Sequence, residues 1–216
     1  MLTRLSMLFV VAVCAPQGLL LGQDNKEVEP PLALILSLDG QEHVLETNAE
    51  KPIEGEFTNP KAKIRLAGYR VFRQKGISFR YPQGMDFDYE HANGADSWDL
   101  IGDDAELSIY ATKGDPATFL KSAIDIIVSV TEKPNQTVQL IKGKKKIRGV
   151  YLDTYTYSID WGDSDTIDVW AIAIPGKNET KILEFVREFK DKKLVKECAD
   201  LENMVLKSLQ WIEYKQ

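Results

Sequence analysis

Apolar and polar residues alternate along much of the chain, a pattern typical of half-buried β-strands. A hairpin is predicted from Ala33–Leu38 and His43–Glu46, because the Asp39-Gly40 pair between them tolerates the positive φ of a tight turn. Alternation continues through Ile64–Pro82, around a Lys-Gly pair. It also predicts shorter or later strands at Trp98–Ile101, Ala105–Thr112, Thr137–Lys142, Ile147–Trp161, Thr166–Ile174 and Lys181–Phe189.

Two segments have helical periodicity instead. The first is predicted to begin at Asp115-Pro116, since Asp caps free amides and Pro suits the first helical position, and to end before Pro134. Its apolar stripe is Phe119, Leu120, Ala123, Ile124 and Ile127. The second runs from Asp191 or Lys192 to about Trp211, with the stripe Leu194, Cys198, Leu201, Val205 and Leu209. This order predicts an α+β fold in which helices cover one mostly antiparallel sheet.

Residues 1–22 differ from the rest of the chain. Arg4 is their only charge, and the apolar run Leu5–Cys14 is shorter than the roughly 20 residues of a bilayer span. These features predict a secretory signal peptide cleaved after Gly22, and hence a secreted or periplasmic protein without a transmembrane segment in the mature chain. Two alternatives stay open: an uncleaved anchor, and a lipoprotein attached at Cys14.

Composition narrows the class further. Hydrophobic residues make up 44% and charged residues 28% of the 216, which is ordinary for a globular protein. Loss of Arg4 with the leader would change the formal charge from −6 to −7, so phosphate backbones would repel the chain and nucleic acid is not an expected partner. Cys198 would then be the single thiol, which excludes an internal disulfide.

Two short stretches carry a resemblance to a known family. They are GISFRYPQGM, with Phe79, Tyr81 and Pro82 at a strand end, and LKSLQWI, with Ser208-Leu209 in the last helix. Together with the element order, they make Arg73–Ile212 similar to the PsbP-like family, which includes DcrB-type bacterial envelope proteins.

The resemblance implies an α/β/α sandwich over residues 73–216 and a non-catalytic binding or assembly module. It implies no particular partner and assigns no functional residue. Residues 23–72 would form an exposed leader and an N-terminal β-hairpin extension, and Leu32–Gln74 has no recognised family counterpart.

The strand GVYLDTYTYSIDW supplies the candidate binding surface. Its alternation places Tyr151, Tyr155, Tyr157, Ile159 and Trp161 on one face. The four aromatic residues of this face can bind peptides or sugars, since each has a flat apolar body and a hydrogen-bonding end. The alternative is that they form core beneath a covering helix.

Two charged segments flank this strand. Asp160, Asp163, Asp165 and Asp168 could supply several oxygens to a structural calcium, although their spacing does not match an EF-hand, and a solvated acidic turn is the alternative. Residues 142–148, KGKKKIR, could meet an anionic surface, or could form a hairpin tip whose lysines discourage aggregation.

Catalytic motifs are absent from the sequence. His43 and His91 lack zinc-ligand spacing, and there is no nucleophile elbow, phosphate loop or C-x-x-C pair. Glu90-His91 near Asp96 suggests a carboxylate–imidazole pair with no nucleophile placed beside it. The chain is therefore not expected to be an enzyme or to need a cofactor. Asn135 and Asn178 begin glycosylation sequons, whose use depends on the source.

The sequence thus predicts a secreted or periplasmic module that binds another envelope or secreted protein through the Tyr151–Trp161 strand. A small-ligand or carbohydrate binder using the same aromatics, with calcium at the acidic turn, is the first alternative. A hydrolase of unrecognised type is the second.

Overall fold

The computed structural model describes residues 29–47, 50–54, 61–92, 95–162, 165–190 and 193–211. Within these ranges the chain forms fourteen strands and two helices. Their bounds are β1 Leu32–Leu38, β2 Gln41–Glu46, β3 Ala62–Gln74, β4 Ile77–Pro82, β5 Asp86–Ala92, β6 Ala95–Ile101, β7 Glu106–Thr112, α1 Pro116–Ser129, β8 Ile141–Ile147, β9 Val150–Gly162, β10 Asp165–Pro175, β11 Thr180–Arg187, β12 Phe189–Lys190, β13 Lys193–Leu194, α2 Lys196–Ser208 and β14 Gln210–Trp211.

A five-stranded antiparallel sheet, curved as a half-barrel, has the order β14-β4-β3-β1-β2. The Asp39-Gly40 turn joins β1 to β2 with φ values of 49° and 84°, as the sequence predicts. β1 also pairs with β3, so the hairpin is part of the five-stranded sheet. β3 itself runs across the predicted domain boundary between residues 72 and 73.

A seven-stranded antiparallel sheet has the order β5-β6-β7-β11-β10-β9-β8. One of its faces packs against α1, through Leu120 and Ile124 of the helix and Tyr155 and Ile159 of β9. The predicted start of α1 is confirmed: the Asp115 carboxylate accepts a hydrogen bond from the Thr118 amide at 2.9 Å.

The opposite face of this sheet packs against the five-stranded sheet and α2. Phe72 of β3 contacts Trp98 of β6 edge to face, with 5.6 Å between ring centroids, and stacks on Phe79 of β4. All three side chains are almost fully buried. Cys198 of α2 is also buried, and its thiol donates to the Asp104 carbonyl at 2.9 Å.

The predicted fold class is wrong. The sequence predicts one sheet covered by helices in an α/β/α sandwich. The structure is instead mostly β, with two antiparallel sheets and two helices in the described residues. Alternation fixes which residues of a strand face inward, but it does not say whether a helix or a second sheet covers them. Here the β3–β4 hairpin provides much of that cover.

Several element bounds also differ. The final helix begins at Lys196 rather than at residue 191 or 192, and Lys193–Leu194 instead pairs with Phe189–Lys190. The strand predicted at Thr137–Lys142 lies later, at Ile141–Ile147. Asp86–Ala92, which is acidic and was not predicted as a strand, forms β5 against β6.

Candidate functional site

The aromatic strand lies largely in the core. Tyr155 and Tyr157 are buried under α1, Trp161 is partly buried against the same cluster, and Tyr151 is 67% exposed. This placement matches the alternative of core aromatics beneath a helix. As a binding surface the four aromatic residues stay a prediction, and Tyr151 is the one a partner reaches without local opening.

The acidic residues at the end of that strand have separate partners. Asp160 pairs with Lys133 at 2.5 Å, and Asp168 accepts a hydrogen bond from Ser158. Asp163 lies outside the described residues, and Asp165 belongs to β10. No group of three or more His, Cys, Asp or Glu side chains with metal-binding geometry occurs in the described ranges.

The basic run is an edge strand rather than a hairpin tip. Its lysines lie in β8, at the end of the seven-stranded sheet, and Arg148-Gly149 forms the turn into β9. Lys142 pairs with Asp153 at 2.7 Å, and the Lys145 ammonium lies 4.3 Å from the Trp170 ring centroid. Lysines on an exposed edge disfavour pairing with another strand.

His91 and Asp96 do lie together, as the sequence suggested. Asp96 is nearly buried, and its carboxylate contacts His91 at 2.6 Å, Lys75 at 2.6 Å and the Tyr89 hydroxyl at 2.9 Å. Burial alone would raise the pKa of Asp96, but the hydrogen bonds from Lys75, His91 and Tyr89 together hold that pKa at about 2. These contacts therefore connect the Lys75-Gly76 turn, between β3 and β4, to β5 and β6.

Replacing Asp96 with alanine should lower the free energy of unfolding by about 2 kcal/mol, because three donors lose a nearly buried acceptor. Urea unfolding at neutral pH measures this loss. Glu90→Ala removes an exposed carboxylate from the same hairpin and should change stability by less than about 0.5 kcal/mol. Equal losses in the two variants would show that the Asp96 hydrogen bonds do not stabilise the fold.

A second group of carboxylates lies on the α1 face of the seven-stranded sheet. Ser108 of β7 pairs in register with Asp99 on one side and Glu184 on the other. The Ser108 hydroxyl donates to Asp99 at 2.5 Å, and the Tyr157 hydroxyl donates to Glu184 Oε1 at 2.8 Å. Glu184 is 5% exposed, and its Oε2 has no hydrogen-bond partner in the described residues.

This arrangement raises the pKa values of the acids. Burial, together with the neighbouring Asp99 charge, raises the pKa of Glu184 to about 7 despite the hydrogen bond from Tyr157. Burial raises the pKa of Asp99 to about 6, and burial with both neighbouring carboxylates raises the pKa of Glu106 to about 8. Raised pKa values of this kind make the free energy of unfolding depend on pH. Glu184 is too enclosed to meet a partner.

The five-stranded sheet carries an exposed apolar surface that the sequence did not single out. Leu34 pairs in register with Leu45 and Leu66, and Leu36 pairs with His43 and Ile64. Directly paired residues in an antiparallel sheet project from the same face. Ile64 is 62% and Leu66 is 53% exposed, and Leu34, Leu36 and Leu45 are half-buried.

We call Leu34, Leu36, Leu45, Ile64 and Leu66 the apolar face. The signal that points to it is LALILSL in β1, which is apolar on both sides of the strand, whereas a strand with one solvated face alternates. The sequence alone does not define this face, because the register between β1 and β3 is not visible in a sequence.

Comparisons with known proteins give little. No family model matches the chain, and no curated protein matches it, so the PsbP-like resemblance stays a prediction. One similar solved structure is that of LpqN from Mycobacterium tuberculosis, described as involved in cell envelope biogenesis. It is 13% identical with a TM-score of 0.33, covers 65% of this chain and 88% of its own, and at that similarity supports no functional inference. In the described ranges, neither helix is long and apolar enough to cross a bilayer.

Proposed function

We propose that the chain is an extracytoplasmic, non-catalytic module that binds another envelope or secreted protein through the apolar face. The observation that carries the proposal is the pair of adjacent ladder rows that place five aliphatic side chains on one side of β1–β3. Contiguous exposed apolar surface of this kind marks interaction sites in soluble proteins. The apolar leader in residues 1–22 supports export, which brings the module to such partners.

The face also has the geometry of a protein contact. Its rows span three strands, so the backbone that carries these side chains is already ordered by a hydrogen-bonded ladder and loses little freedom on binding.

The proposal predicts that Ile64→Thr with Leu66→Thr weakens partner binding about tenfold or more, since buried apolar contacts dominate interface energy. Threonine keeps β-propensity, so unfolding free energy should change by about 1 kcal/mol or less. The full chain, tagged at its C-terminus and expressed in its own source, is crosslinked and captured from outside the cytoplasm. The mass of the recovered chain reports whether residues 1–22 were removed.

Ile141→Thr with Tyr151→Thr is the matched control, because it removes two comparably exposed apolar side chains from β8 and β9. A partner retained by this control and lost by the Ile64/Leu66 variant supports the apolar face. Loss with the control instead would move the docking surface to the aromatic strand. Absence of any saturable partner would overturn the proposed function.

A further inference from the structure

A groove of about 850 Å³ lies between α2 and the side of β3 and β4 that turns away from the core. Phe72 and Phe79 point into the core, so their neighbours Val71 and Arg80, which pair in register, point into the groove. Lys207, in the last turn of α2, also lines the groove. The groove and the apolar face share only Leu45 among the residues named for each, and the inference about the groove does not depend on the proposed function.

The groove has an excess of positive charge in an acidic protein. Its basic residues are Lys51, Arg73, Arg80, Arg148 and Lys207. Its acidic residues are Glu46 and Glu50, and Glu46 already pairs with Arg73. The whole chain carries a formal charge of −6, so these cations are concentrated locally against the overall sign. Clefts lined by one sign of charge focus the field on an oppositely charged ligand.

Four of these cations have no carboxylate partner among the described residues: Lys51, Arg80, Arg148 and Lys207. The Lys51 ammonium donates to the Val44 carbonyl at 3.4 Å. The Arg80 guanidinium lies 4.5 Å from the Tyr69 ring centroid, and stacking of this kind orients its planar fork. One Arg148 nitrogen donates to the Leu209 carbonyl at 3.0 Å, which anchors that side chain beside α2.

The lining also contains apolar side chains, which narrows the ligand class. Val44, Tyr69, Val71 and Met204 line the groove together with the cations. A ligand that contacts both the cations and the apolar side chains must carry anionic and apolar groups along one extended chain. A flat bilayer cannot enter a concave groove, and the net negative charge opposes polyanions that extend beyond it.

We propose that this groove binds a short, extended, acidic segment of a partner protein, with Arg80, Arg148 and Lys207 receiving its carboxylates. Charge-assisted hydrogen bonds to carboxylates supply specificity, and the apolar lining takes the side chains between them. A groove of this volume is within the range of pockets that enclose ligands of drug size.

The test uses three fluorescent peptides of about ten residues with capped termini, in which valine alternates with glutamate, glutamine or lysine. Binding is measured as the change in fluorescence anisotropy when each peptide is titrated with the folded chain. The glutamate peptide should bind saturably, and the glutamine and lysine peptides should bind at least about tenfold more weakly. Raising the salt from about 50 to about 300 mM should weaken the glutamate peptide several-fold.

Arg80→Gln with Lys207→Gln should weaken the glutamate peptide about tenfold or more. The matched control, Arg65→Gln with Lys196→Gln, makes the same change in net charge on β3 and α2 outside the groove and should stay within about twofold. Thermal unfolding of both variants checks that each is folded.

Lack of saturable binding, equal binding of the three peptides, or equal loss in both double variants would overturn the inference. Binding to phosphatidylglycerol vesicles without binding to the glutamate peptide would also overturn it and assign the cations to lipid headgroups. Ile64→Thr with Leu66→Thr should leave peptide binding unchanged, which keeps failure of the groove distinct from failure of the apolar face.

Discussion

Replacing Phe72 with alanine is expected to lower the free energy of unfolding by about 3–5 kcal/mol, the range for truncating a fully buried phenylalanine. The ring is 0% exposed and joins the two sheets, since it stacks on Phe79 of one and meets the edge of Trp98 in the other. Removal of the ring leaves a cavity between the two sheets. Neither sheet can move to fill that cavity without breaking hydrogen bonds between its strands.

Denaturant unfolding followed by both circular dichroism and tryptophan fluorescence measures this effect. The two transitions should coincide in the wild-type chain and shift together in the variant, since both sheets share one core. Phe189→Ala, at a side chain that is 47% exposed, is the control and should lower stability by less than about 1 kcal/mol. A small loss at Phe72, or separated transitions, would mean that the sheets unfold independently.

Glu184→Gln is expected to stabilise the protein at pH 8 by about 2 kcal/mol and to flatten the pH dependence of its stability. At pH 8 the wild-type side chain is a buried carboxylate beside Asp99, with one oxygen unpartnered among the described residues. Glutamine removes the charge and keeps an oxygen that can accept the Tyr157 hydrogen bond.

The direction in which the free energy of unfolding changes with pH follows from the raised pKa values of Glu184, Asp99 and Glu106. The folded state holds these protons at higher pH than the unfolded chain does, so their stabilising contribution is full below about pH 4 and is lost as pH rises through about 6–8. Unfolding free energy should therefore fall between pH 5 and pH 8.

Urea unfolding at several pH values across that window tests the expectation. Glu188→Gln removes an exposed glutamate just beyond the same strand and should leave the slope unchanged. A wild-type stability that rises from pH 5 to pH 8, or an unchanged slope in Glu184→Gln, would contradict the assignment.

Local features were predictable from the sequence, and the arrangement of layers was not. The Asp39-Gly40 turn and the Asp115 cap depend on residues a few positions apart, so their chemistry is visible in a short window. The second sheet depends on β3 pairing with both β1 and β4 and packing on β6 through Phe72. Those contacts join distant segments, and the same alternation would suit a helix as cover.

The candidate sites show the same limit. Alternation correctly placed Tyr155, Tyr157 and Ile159 on one face of β9, but it could not tell that α1 covers that face. The apolar face needs the register of β1 with β2 and β3. The groove needs Arg80, Arg148 and Lys207, from three separated segments, to line one concavity. Only the three-dimensional structure joins such residues.

Cys198 offers a built-in reporter of motion in α2. In a chain without residues 1–22 it is the single thiol, and burial raises its pKa, so a thiol reagent in solution cannot react while the helix is docked. The rate of alkylation therefore measures how often α2 lifts from the core, in the same way as amide exchange measures local opening. Since α2 forms one wall of the groove, a segment bound there should slow that alkylation without touching the sulfur.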